Sequence, residues 1–286
     1  MTEINNKIFK HLKFVEPLSA KKRLFGQHRI NSSGNNPEYF DTREYSPGDD
    51  FRHVAWNTYA RSDKLYYNQL IDESNIKVSI LLDSSKSMKL GNPQKLLYAK
   101  NIVLLLSRIA RANNNQIEFY SFSKTLTKYG RFFTNNNFNN IKIILNKLNA
   151  NGTTKIPSSF KESKKNEYKD ITLVISDFLF QKKQLDSLLL LKKETKLMYA
   201  IQILSTDDIL PDISDNQTII DAEHATQIPI QQKTIAIKNY LATLSKHQNY
   251  MRKFCAKYNI RLIELVSNLS NASILSKFRI GGLLKH

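Results

Sequence analysis

Five oxygen-bearing side chains define the chemistry open to this sequence: Asp83, Ser85, Ser87, Thr153 and Asp177. The first three stand at Asp-x-Ser-x-Ser spacing directly after the apolar run 78–82. Thr153 lies in the turn-like Asn-Ala-Asn-Gly-Thr-Thr of 149–154, and Asp177 closes a second apolar run, Ile-Thr-Leu-Val-Ile-Ser-Asp. Carboxylates and hydroxyls are hard donors, which suit Mg²⁺ or Mn²⁺ rather than zinc or copper. An octahedral Mg²⁺ takes one or two carboxylates and fills its other positions with neutral oxygens and water. Two aspartates and three hydroxyls would supply such a set. Taken alone, the Asp83–Ser87 stretch also reads as helix-capping chemistry, because Ser and Asp cap helices and a helix begins near Pro93.

Such a set converges only if the elements that carry it are neighbours. The run 78–82 is short, β-branched at Val78 and Ile80, and apolar at successive positions, as a strand covered on both faces reads. Residues 94–112 form a largely apolar helix and 116–122 the next strand, so strand, helix and strand make a right-handed parallel crossover. Further along, the pattern predicts a short strand or turn at 129–133, a helix at 141–148 and a short basic helix at 157–165. After Asp177 come a helix at 185–193 and a strand at 197–204. A small hairpin with its turn near Glu223 and His224 follows, then a helix at 235–257, a strand at 261–266 and a last helix at 271–278. The expected fold is α/β: a doubly wound, mostly parallel sheet with helices on both faces, in which ligands bind beyond the carboxyl ends of the strands. Asp83 and Asp177 occupy such ends.

The Asp-x-Ser-x-Ser run, the Gly152-Thr153 loop and the later strand-end Asp177 together resemble the metal-ion-dependent adhesion site of von Willebrand factor A domains. That resemblance implies Ser85, Ser87 and Thr153 as ligands of a Mg²⁺ or Mn²⁺ ion, with Asp83 and Asp177 binding directly or through water. It also implies an open position on the ion for an acidic residue of a protein partner. A docking site is implied, not a catalytic centre.

A second stretch, Arg43-Glu-Tyr45-Ser-Pro47-Gly48-Asp49-Asp50-Phe-Arg52 through Trp56, Ala60 and Arg61, begins as turn chemistry, with proline fixing φ and glycine permitting φ > 0. Asp49 or Asp50 would cap a short helix in which Arg52 and Trp56 form an (i, i+4) pair. The stretch is either a polar network that locks this segment in place or a partner surface with Arg and Trp as hot spots. It resembles the signature of a bacterial family known as domain of unknown function 58, associated with MoxR-type AAA+ ATPases and carrying a von Willebrand factor A-like domain. Glu73 falls at the family's spacing. Ala55 departs from it, since family members commonly have an acidic residue just before the tryptophan. The resemblance spans about residues 20–280 and implies a MoxR-type AAA+ ATPase as partner.

Residues 1–24 read as a helix, with Ile4, Ile8, Leu12 and Val15 at helical spacing, followed by a basic stretch. The apolar face is narrow and lacks tryptophan, so packing on the domain behind it is favoured over lying on a membrane surface. The expected division is an N-terminal extension, 1–76, packed on an α/β domain, 77–286.

Composition narrows the function classes. The 286 residues are 41% hydrophobic and 24% charged, with a single cysteine and a formal net charge of +18. No apolar run is long enough to span a membrane and residues 1–7 lack the core of a secretory signal, so a cytoplasmic protein is expected, with peripheral membrane contact left open. The charge favours acidic partners, and a sequence-independent nucleic-acid binder is the alternative reading. Lysine is spread along the whole chain, however, and no zinc-finger spacing or RNP-type aromatic motif occurs. Enzyme motifs are missing as well: no phosphate-binding loop, no Gly-x-Gly-x-x-Gly, no His-Glu-x-x-His and no Gly-x-Ser-x-Gly. A phosphotransferase of the haloacid dehalogenase type needs a carboxylate where Ser85 stands, and a serine cannot serve as its acid/base group. The expectation is a non-enzymatic adaptor.

Overall fold

In chain order the α-helices and strands are α1 (Asn6–His11), β1 (Lys13–Phe14), β2 (Tyr39–Glu44), α2 (Trp56–Ser62), β3 (Tyr66–Leu70), β4 (Lys77–Asp83) and, after a 3-10 turn at Lys86–Lys89, α3 (Lys95–Ala112). They continue with β5 (Gln116–Phe122), β6 (Leu126–Phe132), α4 (Asn135–Lys147), β7 (Lys169–Ser176), α5 (Lys182–Leu185), α6 (Leu188–Lys192) and β8 (Thr195–Leu204). The last are α7 (Thr206–Ile209), β9 (Thr218–Ile220), β10 (Gln227–Pro229), α8 (Lys233–Lys257), β11 (Arg261–Val266), α9 (Asn271–Ile280) and β12 (Leu284–Lys285). This computed structural model describes residues 6–17, 39–47, 51, 54–70, 76–132, 135–152, 169–212, 218–220, 227–229 and 232–285. The expected helix at 157–165 and the hairpin turn at 223–224 lie outside the described residues.

The chain divides into two units, residues 1–15 with 76–286, and residues 16–75. The larger is built on a six-stranded sheet in the order β11-β8-β7-β4-β5-β6. Neighbours are parallel except β6, which runs antiparallel to β5 at the edge. The order is that of a doubly wound sheet, with its switch point between β4 and β7. Alternation sorts the side chains: Val78, Ile80 and Leu82 face a core shared with α3, α4 and α9, while Leu81 faces one shared with α5, α6 and α8. Helices cover both faces, and the expected α/β class is what the structure has.

Several boundaries differ from expectation for physical reasons. The N-terminal helix stops at His11, and Lys13–Phe14 pair antiparallel with Leu284–Lys285. Burial of Phe9, Leu12 and Phe14 in the larger unit's core overrides the helical spacing that reached Val15. The helix at 185–193 is two short ones, parted at Asp186 and Ser187, residues that compete with the backbone for hydrogen bonds. Residues 126–132 form a full strand, and 206–209 a short helix preceding the hairpin β9–β10.

In the smaller unit β2 and β3 form an antiparallel hairpin. Helix α2 begins at Trp56, after Ala55, which makes no side-chain cap but donates its N–H to Tyr66 O at 2.8 Å. The expected cap at Asp49 or Asp50 and the Arg52–Trp56 pair fall on 48–50 and 52, outside the described residues, as does Glu73.

Candidate metal centre at the switch point

Asp83 ends β4 and Asp177 follows β7, the two strands that flank the switch point, where doubly wound sheets bind ligands. Asp83 is fully buried, and both its oxygens are held: Oδ1 accepts from Ser85 N at 2.8 Å and Oδ2 from Ser176 Oγ at 2.6 Å. Ser85 Oγ and Ser87 Oγ lie 3.0 Å apart. Two adjacent ligands of an octahedral Mg²⁺, each at about 2.05 Å, stand about 2.9 Å apart. The two hydroxyls are hydrogen-bonded to each other, at a distance that would also let them share one edge of such a shell.

The second loop is brought to the same place. Asn151 N donates to Ser84 O at 2.7 Å and Lys86 N donates to Gly152 O at 2.9 Å. Gly152 takes φ +79°, a left-handed backbone that favours glycine. Thr153 lies outside the described residues. Beyond β7, Phe178 has φ +54°, an uncommon conformation for a bulky residue. Its N–H donates to Ser176 Oγ at 3.0 Å, and its carbonyl lies 2.7 Å from His247 Nε2 on α8. Backbone strain of this kind clusters at functional sites.

Asp177 is almost fully buried, and its Oδ1 accepts from Leu179 N at 3.1 Å. Its Oδ2 accepts from Lys95 Nζ at 2.8 Å, and the same ammonium reaches Asp208 Oδ2 at 3.2 Å. Asp208 is also the third residue of a capping box with Ser205, which starts α7. The loops bearing these groups are closely packed: a Cβ on Gly91, at φ +93°, would lie 2.4 Å from Ser205 Cβ. Gln202, level with Ser176 on β8, donates Nε2 to Asp177 O at 2.9 Å, and its buried Oε1 has no partner among the described residues.

The electrostatics are uneven. Burial, and then the neighbouring Asp177, push Asp83 up to about 7, against the opposing hydrogen bonds from Ser176 and Ser85. Burial works against the charged form of Lys95, but Asp177 and Asp208 outweigh it and hold its pKa above the ordinary lysine value. Among the described residues no cation pairs with Asp83. Nor, among them, do three His, Cys, Asp or Glu side chains converge as a metal cluster, so an ion here would rest on two carboxylates and on hydroxyls. That is the donor balance of Mg²⁺. A buried uncompensated carboxylate, two hydroxyls at octahedral spacing and an orphaned acceptor nearby fit such an ion.

Sequence reasoning placed Asp83, Ser85, Ser87 and Asp177 on loops that the structure brings together. It did not count Lys95, Ser176, Gln202 or Asp208 among the site residues. Two of them carry sequence signals: Ser-Asp closing β7, and Ser205-x-x-Asp208 as a capping box.

Residues 41–250 match the family described as "Protein of unknown function DUF58". The chain belongs to that family. Among curated proteins none matches. Solved structures similar to this DUF58 chain include a conserved hypothetical protein, BatB, from Bacteroides thetaiotaomicron, at 15% identity and TM-score 0.44, covering 72% of this chain and 98% of that one. An aerotolerance-related membrane protein from Bacteroides fragilis, solved with multiple mutations to serines, is 14% identical at TM-score 0.43, covering 73% and 98%. A von Willebrand factor type A protein from Catenulispora acidiphila is 16% identical at TM-score 0.33, covering 49% and 35%. At that level of similarity the strand order, not the likeness, establishes the fold.

Proposed function

We propose that this chain is a non-enzymatic adaptor that docks an acidic side chain of a protein partner on a Mg²⁺ (or Mn²⁺) ion held by Asp83, Ser85, Ser87, Thr153 and Asp177. The observation that carries the reading is the buried Asp83 carboxylate, which has no cation among the described residues and stands beside the 3.0 Å pair of serine hydroxyls. When bound, the ion supplies the positive charge that a partner's Asp or Glu completes. The chain's own residues do the rest. Ser176 and the Ser85 N–H orient Asp83, Leu179 N–H and Lys95 orient Asp177, and the net charge of +18 steers an acidic surface toward the site.

The partner favoured by the family resemblance is a MoxR-type AAA+ ATPase, with a role in assembling or activating other proteins. The adaptor would work in the cytoplasm, and no helix among the described residues is long and apolar enough to cross a membrane. The test is affinity purification of wild type and Asp83→Ala from the native cell, with and without EDTA. An AAA+ ATPase recovered with wild type in Mg²⁺ and lost with EDTA or the variant is the expected result. Identical partners in all conditions would contradict metal docking. The net charge also favours a second reading, sequence-independent nucleic-acid binding, whose affinity would fall steeply with salt and ignore EDTA.

A further inference from the structure

Lys95 stands at the first position of α3, where a cation opposes the helix dipole, and it is almost completely buried there. No acidic residue lies in that first turn to compensate it. What holds it are two carboxylates distant in sequence, Asp177 Oδ2 at 2.8 Å and Asp208 Oδ2 at 3.2 Å. Asp83, Asp177 and Asp208 against Lys95 leave two negative charges when all are ionised, which one divalent cation balances. The ammonium therefore already takes part of the attraction that a metal would draw on, through an oxygen of Asp177 itself.

We infer that Lys95 is a tethered competitor of the metal: a positioning residue that weakens and sets the affinity of the Asp83–Asp177 site for a divalent cation. The inference rests on the metal reading above and adds its regulation. Lys95 fixes Asp177 at the switch point while lowering the field felt by an incoming ion, so the free protein carries a site poised below saturation. It also ties that site to the Ser205–Asp208 turn, because the ammonium is shared between Asp177 and Asp208. Divalent-cation affinity and the packing of this turn are then linked through one side chain.

The test uses the full chain and Mn²⁺ alone as probe, with bound ion read by electron paramagnetic resonance. Lys95→Met is expected to bind Mn²⁺ on the order of tenfold or more tightly than wild type, because a positive charge near the ion is removed. Lys95→Arg, which keeps the charge, should stay close to wild type. Lys95→Met should also melt earlier in EDTA and regain more of its melting temperature with Mn²⁺ than wild type does. The double variant Lys95→Met/Asp208→Asn, which removes one charge of each sign, guards against misfolding and should still bind more tightly than Asp208→Asn alone. Mn²⁺ binding by wild type with equal or weaker binding by both methionine variants would overturn the role of Lys95 and leave the metal site standing. Folded proteins, none of which bind Mn²⁺, would overturn both.

Discussion

Two buried carboxylates on neighbouring strands of one sheet face have opposite surroundings. Asp83 on β4 lies beyond Leu81, and Glu118 on β5 lies two residues before Tyr120, both on the face packed by α5, α6 and α8. Around Glu118 the chain has gathered Arg131 Nε at 2.5 Å, Lys128 Nζ at 3.3 Å, Tyr120 OH at 3.0 Å and Ser79 Oγ at 3.4 Å. Burial opposes its ionisation, but the Arg131 and Tyr120 hydrogen bonds with the charges of Lys128 and Lys169 outweigh it and hold its pKa below the ordinary value. Around Asp83 there is burial, another carboxylate and a pKa pushed up to about 7. Glu118 is satisfied by the fold itself; Asp83 is left with a charge that the described residues do not match. A carboxylate that a fold buries and leaves uncompensated is a candidate for function, and its satisfied neighbour shows that this sheet can compensate one.

The comparison can be broken by mutation. Glu118→Gln should cost about 2–3 kcal/mol at neutral pH, less than a fully buried pair because Arg131 and Lys128 reach water. Since the folded pKa of Glu118 is lowered, its contribution is present above the unfolded value of about 4.3 and fades as pH falls through the folded one. Thermal melts of wild type and variant should therefore converge in acid; a gap that persists unchanged to low pH would show that packing, not charge, is lost. Tyr120→Phe removes one hydrogen bond to Glu118 and should cost about 1 kcal/mol, measured by urea denaturation. Asp83→Asn in EDTA should change stability by less than about 1 kcal/mol or raise it, because an uncompensated buried charge is removed while the shape is kept. If Asp83→Asn were as damaging as Glu118→Gln, the two carboxylates would play the same structural part.

The same contrast explains what the sequence disclosed. Strands β4, β7 and β8 were legible because parallel strands covered on both faces read as continuous apolar runs. The strand ends then gave Asp83 and Asp177 directly, and the hydroxyls of Ser85 and Ser87 by spacing. Glu118 was hidden because one acid in Gln-Ile-Glu-Phe-Tyr-Ser-Phe looks like an interruption, and the cations hydrogen-bonded to it come from β6, an edge strand that Gly130 obscures. Lys95 was hidden for a similar reason. A lysine at the start of an amphipathic helix looks solvated, and only the tertiary fold brings Asp177 and Asp208, 82 and 113 residues away, to it.

The central claim is that Asp83 and its serines hold a divalent cation, and isothermal titration calorimetry with Mg²⁺ and then Mn²⁺ tests it most directly. Hydroxyl ligands are weak, so wild type should bind one ion with modest affinity, high micromolar to low millimolar, and Asp83→Asn, folded to the same extent, should not bind in that range. Equal binding by wild type and Asp83→Asn, or none by either, would contradict it.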